Sequence, residues 1–174
     1  TKPDRVVWCD GSDEEYRRLV EQQIADGTLH RLNETTYPGC HLHRSDPNDV
    51  ARVEHLTFIC SEKQEDAGAT NNWMSPDDAE RRVKPLFDGA MRGRTMYVVP
   101  YIMGPKTSRL SQVGVEITDS PYVVISMRTM TRMGKDALDR LGSDGAYVKG
   151  MHSLGDLSPD RRYILHFPQR LEIW

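Results

Sequence analysis

One segment of the sequence holds a single arginine, Arg52, shortly after residues that favour the start of a helix. Asp46 can cap a helix N-terminus, and Pro47 suits the first helical position. A short, firmly capped helix would hold Arg52 beside a loop, where its guanidinium could bind a carboxylate or a phosphate through two parallel hydrogen bonds. The alternative is an ordinary surface arginine paired with Asp49 or Glu54, a contact that contributes only a few tenths of a kcal/mol.

Two further arginines, Arg92 and Arg94, flank Gly93 directly before a strand-like segment. Two guanidinium groups at such a turn could also bind a carboxylate or a phosphate. The alternative is structural, because Gly93 can form the turn while the arginines pair with acidic residues such as Asp88. The composition of the segment favours this structural interpretation.

A group of potential metal ligands begins at Cys40, with His41 and His43 next to it and His55 further along. Imidazole and thiolate are preferred zinc ligands. Their spacing does not match a zinc motif, and residues 38–39, Pro-Gly, predict a surface turn. We therefore interpret these side chains as exposed polar groups.

Composition excludes several classes of protein. The 174 residues carry a formal net charge of −3, which does not suit a nucleic-acid-binding protein, and aromatic residues are not interleaved with the basic ones. No apolar run approaches the ~18 residues of a membrane span, and no targeting segment is visible. Three widely spaced cysteines predict no disulfide framework and suit a reducing, cytoplasmic setting. The sequence contains no phosphate-binding loop, dinucleotide fingerprint, nucleophile elbow or zinc-protease motif, so it shows no complete catalytic apparatus.

The first half of the chain combines short strands with capped helices. Residues 5–9 predict a strand, and Ser12 with Glu15 forms the capping-box pattern of a helix that ends near Gly27. A short helix from Asp46 should precede a strand over 56–60. The remaining predictions here are an exposed loop over 61–72 and a helix from Ser75 to about Leu86.

The second half predicts more sheet. Residues 95–99 and 113–118 are strand-like and could pair as neighbours across the Gly-Pro turn signal at 104–105. A long helix should follow from Asp119, with an apolar stripe that runs through Gly134 to Leu141. Residues 163–167 and 171–174 predict a closing pair of strands. The whole pattern predicts a single α/β domain over residues 1–174, a mixed β-sheet flanked by helices.

Longer runs of sequence resemble the N-terminal domain of GTP-dependent phosphoenolpyruvate carboxykinase. The resemblance extends in one collinear order from Trp8 to Trp174. The runs that carry it are RSDPNDVARVE (44–54), FDGAMRGRTMYVVP (87–100), GVEITDSPYVV (114–124), MTRMG (130–134) and HFP (166–168). Runs of this length are far more specific than the short motifs above. The expected fold is therefore the mixed α/β fold of that domain.

The resemblance implies roles for two residues of this chain. Arg52 matches the family arginine that binds the substrate carboxylate, on a loop that is mobile in the family and closes with a lid. Glu54 matches the position whose contact with that lid helps to hold the closed state. Arg92 and Arg94 are expected to hold the scaffold. No residue of this chain is expected to be catalytic, to bind a cofactor or to ligate a metal.

The resemblance also implies what the parent enzyme does. The family converts oxaloacetate and GTP to phosphoenolpyruvate, GDP and carbon dioxide, a lyase reaction of gluconeogenesis, with a manganese ion at the active site and a second divalent metal, magnesium, on the nucleotide. The metal ligands, the phosphate loop and the guanine pocket follow in a C-terminal nucleotide-binding domain, which this sequence lacks. The isolated chain is therefore expected to be inactive and to bind neither GTP nor metal tightly. The alternative is a stand-alone, non-catalytic module that binds anions or a partner protein. Neither hypothesis includes a nucleic-acid or membrane partner.

Overall fold

The computed structural model describes residues 1–47, 53–141 and 145–174. The described residues form strands joined by helices. The strands are β1 (Arg5–Trp8), β2 (Leu29–Arg31), β3 (His41–His43), β4 (Thr57–Ile59), β5 (Asn72–Trp73), β6 (Thr95–Met103), β7 (Gln112–Thr118), β8 (Arg132–Met133), β9 (Val148–Met151), β10 (Ile164–Phe167) and β11 (Glu172–Ile173). The helices are α1 (Asp13–Ala25), α2 (Pro76–Phe87), α3 (Pro121–Met130) and α4 (Lys135–Leu141), with 3-10 turns at Glu54–Leu56, Gln64–Ala67 and Pro168–Arg170.

One large mixed sheet organises the fold. Its strand order is β1-β6-β7-β9-β11-β10-β4-β5, and β8 also pairs with β6. The pairs β6–β7 and β10–β11 are antiparallel, as their proximity in sequence predicts, whereas β1–β6, β7–β9, β9–β11, β4–β10 and β4–β5 are parallel. Strands β2 and β3 form a separate antiparallel hairpin. The predicted mixed α/β class is confirmed.

Helices α1, α2 and α3 begin where local capping chemistry predicts. The Ser12 hydroxyl accepts a hydrogen bond from the Glu15 amide at 3.1 Å, and Ser75 and Ser120 cap α2 and α3 in the same way. The reciprocal half of the α1 capping box differs from expectation. Glu15 Oε2 accepts hydrogen bonds from the amides of Asp10 and Gly11, at 3.1 and 2.9 Å. The Ser12 amide instead donates to the Asp10 carboxylate.

Two hydrophobic clusters form the core. One lies between α1, α3 and the strands β1 and β6, where Leu19, Val99 and Val124 are each almost fully buried. The other packs α2 against β10 through Val83, Leu165 and Phe167. Burial of these side chains supplies most of the driving force that holds the helices on the sheet.

The prediction of a long helix from Asp119, with an apolar stripe that continues beyond Gly134 to Leu141, is wrong in the length of the helix. The structure divides it into α3 and α4, with the two-residue strand β8 between them. At the break, Gly134 has a φ of +86°, and its amide donates to the carbonyl of Pro100 at 3.0 Å. The apolar stripe spans this break because β8 pairs with β6, a tertiary contact that helical periodicity does not show.

Other differences also depend on distant partners. The 61–72 segment, predicted as a loop, contains the 3-10 turn Gln64–Ala67 and the first residue of β5. Neither the β2–β3 hairpin nor β9 was predicted, and β9 gains its partners from β7 and β11. The short helix predicted from Asp46 lies largely within residues 48–52, outside the described part. Among the described residues, no helix is long and apolar enough to cross a membrane.

Candidate active site

The structure shows where the segment that carries Arg52 joins the sheet. Arg52 itself lies within 48–52, outside the described residues, so the candidate site is built from the residues that follow it. Val53 is 6% exposed, and the exposed side chain of Glu54 opens the 3-10 turn Glu54–Leu56. This turn leads directly into β4, which pairs with β5 and β10 within the main sheet. We call residues 53–57 the stem.

Backbone and side-chain hydrogen bonds within the stem hold its conformation. The carbonyl of Val53 accepts a bond from the Leu56 amide at 2.9 Å and another from the Thr57 hydroxyl at 3.0 Å. Two donors on one carbonyl, together with burial of the Val53 side chain, hold the first residue of the stem against the sheet.

Asn72 connects the stem to the neighbouring strand. Its side-chain Nδ2 donates to the carbonyl of Glu54 at 2.7 Å and to the carbonyl of Thr57 at 3.1 Å. Asn72 lies on β5, opposite Phe58 of β4. One amide group therefore bridges both ends of the 3-10 turn.

Sequence reasoning missed Asn72. The polar composition of residues 61–72 predicts a loop, and no motif marks one asparagine of the pair Asn71 and Asn72 as different from the other. The next residue, Trp73, donates its indole N–H to the carbonyl of Ser61 at 2.9 Å, which ties β5 to the end of β4. Only the parallel pairing of these two strands brings Asn72 to the stem.

The second arginine pair contributes to the scaffold. Arg94 forms an ion pair with Asp119 at 2.8 Å and donates to the carbonyl of Gly155 at 2.6 Å. Asp119 is 5% exposed and also accepts bonds from the Ser153 hydroxyl and the Leu154 amide, at 2.8 and 2.9 Å. This network joins the start of β6, the end of β7 and the loop after β9.

The sequence predicts that Arg92 and Arg94 pair with acidic residues such as Asp88. Arg94 has a different partner. Asp88 forms an ion pair with Lys2, and Asp119 is the partner of Arg94. Arg92 is exposed and lies against the backbone of Gly89. The contacts of Arg94 support its interpretation as a scaffold residue.

Among the residues considered as metal ligands, His43 has other contacts. His43 Nδ1 lies 2.9 Å from the carbonyl of Thr28, and its ring stacks on Tyr122 with centroids 3.9 Å apart. Cys40 is exposed on the turn before β3. Within residues 1–47, 53–141 and 145–174, no group of three or more His, Cys, Asp or Glu side chains could hold a metal ion.

Burial raises the pKa of several groups away from the stem, among them two thiols and one carboxyl. It raises the pKa of the Cys9 thiol strongly and that of Cys60 to about 11, so both thiols stay protonated at neutral pH. Burial also raises the pKa of the Glu116 carboxyl from 4.5 to about 7. The charge of Glu116 therefore changes close to neutral pH.

Comparison with known proteins gives one consistent result. The sequence profile described as the phosphoenolpyruvate carboxykinase N-terminal domain matches residues 1–174. A relative named phosphoenolpyruvate carboxykinase (GTP), from Anaeromyxobacter dehalogenans, is 57% identical over 173 residues, which cover 99% of this chain and 29% of the relative. Relatives of the same name from Corynebacterium jeikeium and Corynebacterium efficiens are 53% and 51% identical, and the match covers 99% of this chain and 30% of each relative.

The chain thus spans about 30% of the length of the curated relatives that it matches. The profile covers every residue from Thr1 to Trp174, and the described part has the mixed sheet and flanking helices that the resemblance implied. The chain belongs to the phosphoenolpyruvate carboxykinase N-terminal domain family.

Proposed function

We propose that this chain is the substrate-side N-terminal domain of a GTP-dependent phosphoenolpyruvate carboxykinase. Such an enzyme converts oxaloacetate and GTP to phosphoenolpyruvate, GDP and carbon dioxide, and we place it in the cytoplasm, in gluconeogenesis. The observation that carries the proposal is the 57% identity over 99% of the chain to relatives that bear this enzyme's name. Its partners are then oxaloacetate or phosphoenolpyruvate and the C-terminal nucleotide-binding domain.

Arg52 is the proposed contact to substrate. Oxaloacetate and phosphoenolpyruvate both carry carboxylates, and a guanidinium group can bind a carboxylate through two parallel, charge-assisted hydrogen bonds. The stem supports this role, since it begins one residue after Arg52 and is fixed to the sheet by Thr57 and Asn72. A fixed stem limits the volume that the arginine must search, which lowers the entropic cost of binding.

Glu54 is the proposed contact to the lid. Its backbone is held by Asn72 while its side chain is exposed, so the carboxylate is available to a second part of the protein. A lid that closes over the substrate excludes water and protects the enolate formed by decarboxylation from protonation. Backbone order combined with side-chain exposure suits a residue that holds a closed state.

The metals and the nucleotide are proposed to bind outside this chain. Manganese and magnesium, the latter with GTP, would stabilise charge during decarboxylation and phosphoryl transfer when bound. The described residues offer no group of three potential metal ligands, so they do not fit either ion. This chain's own part is to bind and orient the substrate carboxylate. We accordingly expect no turnover from residues 1–174 alone.

Steady-state kinetics of the full-length polypeptide test the proposal. The wild-type protein should form phosphoenolpyruvate from oxaloacetate only when GTP is present. Arg52→Ala should lose about 2–4 kcal/mol of transition-state stabilisation, roughly a 30- to 1000-fold fall in kcat/KM. Arg109→Ala is the matched control, because Arg109 is an exposed arginine of the β6–β7 connection.

Two results would contradict the proposal in different ways. If the full-length wild-type protein has no GTP-dependent activity, the enzyme assignment fails and the stand-alone binding module becomes the better hypothesis. If the protein is active and Arg52→Ala behaves like Arg109→Ala, the enzyme assignment stands and Arg52 is an ordinary surface arginine.

A further inference from the structure

His43 ends the β2–β3 hairpin and is followed in sequence by the segment that leads to Arg52. The hairpin forms a small sheet of its own, apart from the main sheet. His43 is half-buried, whereas residues 44–47 are each exposed. The contacts that hold His43 therefore fix the point at which the chain leaves the body of the domain.

The first contact of His43 joins it to the start of the hairpin. Its Nδ1 lies 2.9 Å from the carbonyl of Thr28. A carbonyl oxygen can only accept, so Nδ1 carries the hydrogen and donates it. In the strand register His43 also pairs with Leu29, which is 3% exposed and belongs to the first hydrophobic cluster. This end of the hairpin is thus joined to the core through β2.

The second contact of His43 joins the hairpin to α3. Its ring stacks on the ring of Tyr122, with centroids 3.9 Å apart and an angle of 28° between the planes. Tyr122 lies at the start of α3, whose cap residue Ser120 is 4% exposed and donates its amide to the Thr118 hydroxyl at 3.1 Å. The stack therefore places His43 against a helix end that is itself fixed to β7.

These contacts bear on binding because Arg52 lies between two fixed points in the sequence. His43 holds the chain before residue 44, and the stem holds it from Val53 onward. Fixed ends reduce the number of conformations open to the residues between them, so less entropy is lost when a ligand orders that segment. Loss of the stack should weaken substrate binding more than it slows the chemical step.

We propose that His43 is a positioning residue for the substrate arginine. Stacked on Tyr122 and bonded to the carbonyl of Thr28, it fixes the start of the segment that carries Arg52. The inference rests on the proposed function, in which Arg52 binds the carboxylate of oxaloacetate. His43 acts through Arg52 and is not itself proposed to contact the substrate.

Steady-state kinetics of the full-length enzyme, with oxaloacetate varied at saturating GTP, test the proposal. His43→Ala should raise the KM for oxaloacetate about threefold to tenfold, with kcat and the KM for GTP changed by less than about twofold. His43→Phe keeps an aromatic ring for the stack and should lie closer to the wild type. His30→Ala is the matched control, because His30 is an exposed histidine of the same hairpin, and its KM should be unchanged.

Variants of the stacking partner show whether the two rings act together. Tyr122→Leu should raise the KM for oxaloacetate as much as His43→Ala does, and the double variant should show no further rise, because both changes remove the same stack. Tyr122→Phe keeps the ring and should retain the wild-type KM. If Tyr122→Leu does not fold, the comparison of His43→Ala with His43→Phe decides the question.

An Arg52→Ala background tests whether His43 acts through the arginine. Adding His43→Ala to that background should leave the KM for oxaloacetate where Arg52→Ala alone places it. A further threefold or larger rise, or an unchanged KM for His43→Ala in an active enzyme, would overturn the positioning role and leave the enzyme assignment intact. A wild-type protein that forms no phosphoenolpyruvate from oxaloacetate and GTP would instead count against the proposed function.

Discussion

The side-chain amide of Asn72 donates a 2.7 Å hydrogen bond to the backbone carbonyl of Glu54, 18 residues away in sequence. The same nitrogen bonds the carbonyl of Thr57, so Asn72 spans the whole 3-10 turn that follows the proposed substrate arginine. We therefore predict that Asn72 is a positioning residue, which holds the backbone of Glu54 beside the proposed substrate contact.

Asn72→Ala in the full-length enzyme should raise the KM for oxaloacetate more than it lowers kcat. The two carbonyls lose their side-chain donor, and a hydrogen bond of this type contributes about 1 kcal/mol, so we expect a several-fold increase in KM. Steady-state kinetics with oxaloacetate as the varied substrate measure the change.

Asn71→Ala is the matched control for that variant. The Asn71 amide also donates one short bond, of 2.8 Å, but to the carbonyl of Ala67 in the preceding turn. Its loss should affect stability to a comparable degree and leave KM unchanged. Equal KM values for the two variants would reduce Asn72 to a structural residue.

Asp119→Ala should destabilise residues 1–174 by about 3–5 kcal/mol in urea-induced unfolding. The Asp119 side chain is fully buried and receives Arg94, the Ser153 hydroxyl and the Leu154 amide, which all lose their acceptor. Asp88→Ala removes an exposed ion pair with Lys2 and should cost no more than about 1 kcal/mol. Similar losses for the two variants would show that the Arg94 network contributes little.

Gly134→Ala should destabilise the chain by more than about 3 kcal/mol, since a Cβ would meet the carbonyl oxygen of Asp10 at 2.0 Å. Gly27→Ala is the control that measures backbone strain without such a clash. Gly27 has a similar φ of +81° with nothing within 4 Å of an added Cβ, so it should lose only about 1–2 kcal/mol. Thermal unfolding of both variants gives the comparison, and equal losses would mean that Asp10 moves aside freely.

Local features of the fold could be predicted from the sequence, because their determinants lie within a few residues. The Ser12, Ser75 and Ser120 caps each accept a bond from an amide three residues on, and a capping serine is visible in sequence. The neighbouring strands β6 and β7 were predicted as a possible pair for the same reason, since a turn signal separates them.

The missed features depend on contacts between distant residues. The break at Gly134 follows from the pairing of β8 with β6 and from the approach of Asp10, neither of which alters the helical spacing of the apolar residues. Asn72 reaches the stem only through the parallel β4–β5 pair. In the candidate site, the assignment of Arg52 and Glu54 came from family resemblance, and it stays a prediction.

Glu116 should make the stability of residues 1–174 fall as the pH rises. Burial raises its pKa from 4.5 to about 7, so the folded chain holds this proton over a range in which the unfolded chain has released it. The stabilisation from the protonated carboxyl is complete below pH 4.5 and is lost as the pH passes 7. The total is about 3 kcal/mol by linkage. Glu116→Gln cannot ionise, so its urea stability should match the wild type at pH 4.5 and exceed it by about that amount at pH 8.

Glu172→Gln is the control, because its effect on stability at pH 8 should have the opposite sign to that of Glu116→Gln. Burial would raise the pKa of Glu172, but the hydrogen bonds from Arg170 and Lys149 hold it below its ordinary value, so the ionised carboxylate stabilises the fold. Loss of that charge should lower stability at pH 8 and matter less in acid, since the pairing contributes only where Glu172 is ionised. The two variants therefore should diverge as the pH rises. Parallel pH profiles would show that the environment of Glu116 does not oppose its charge.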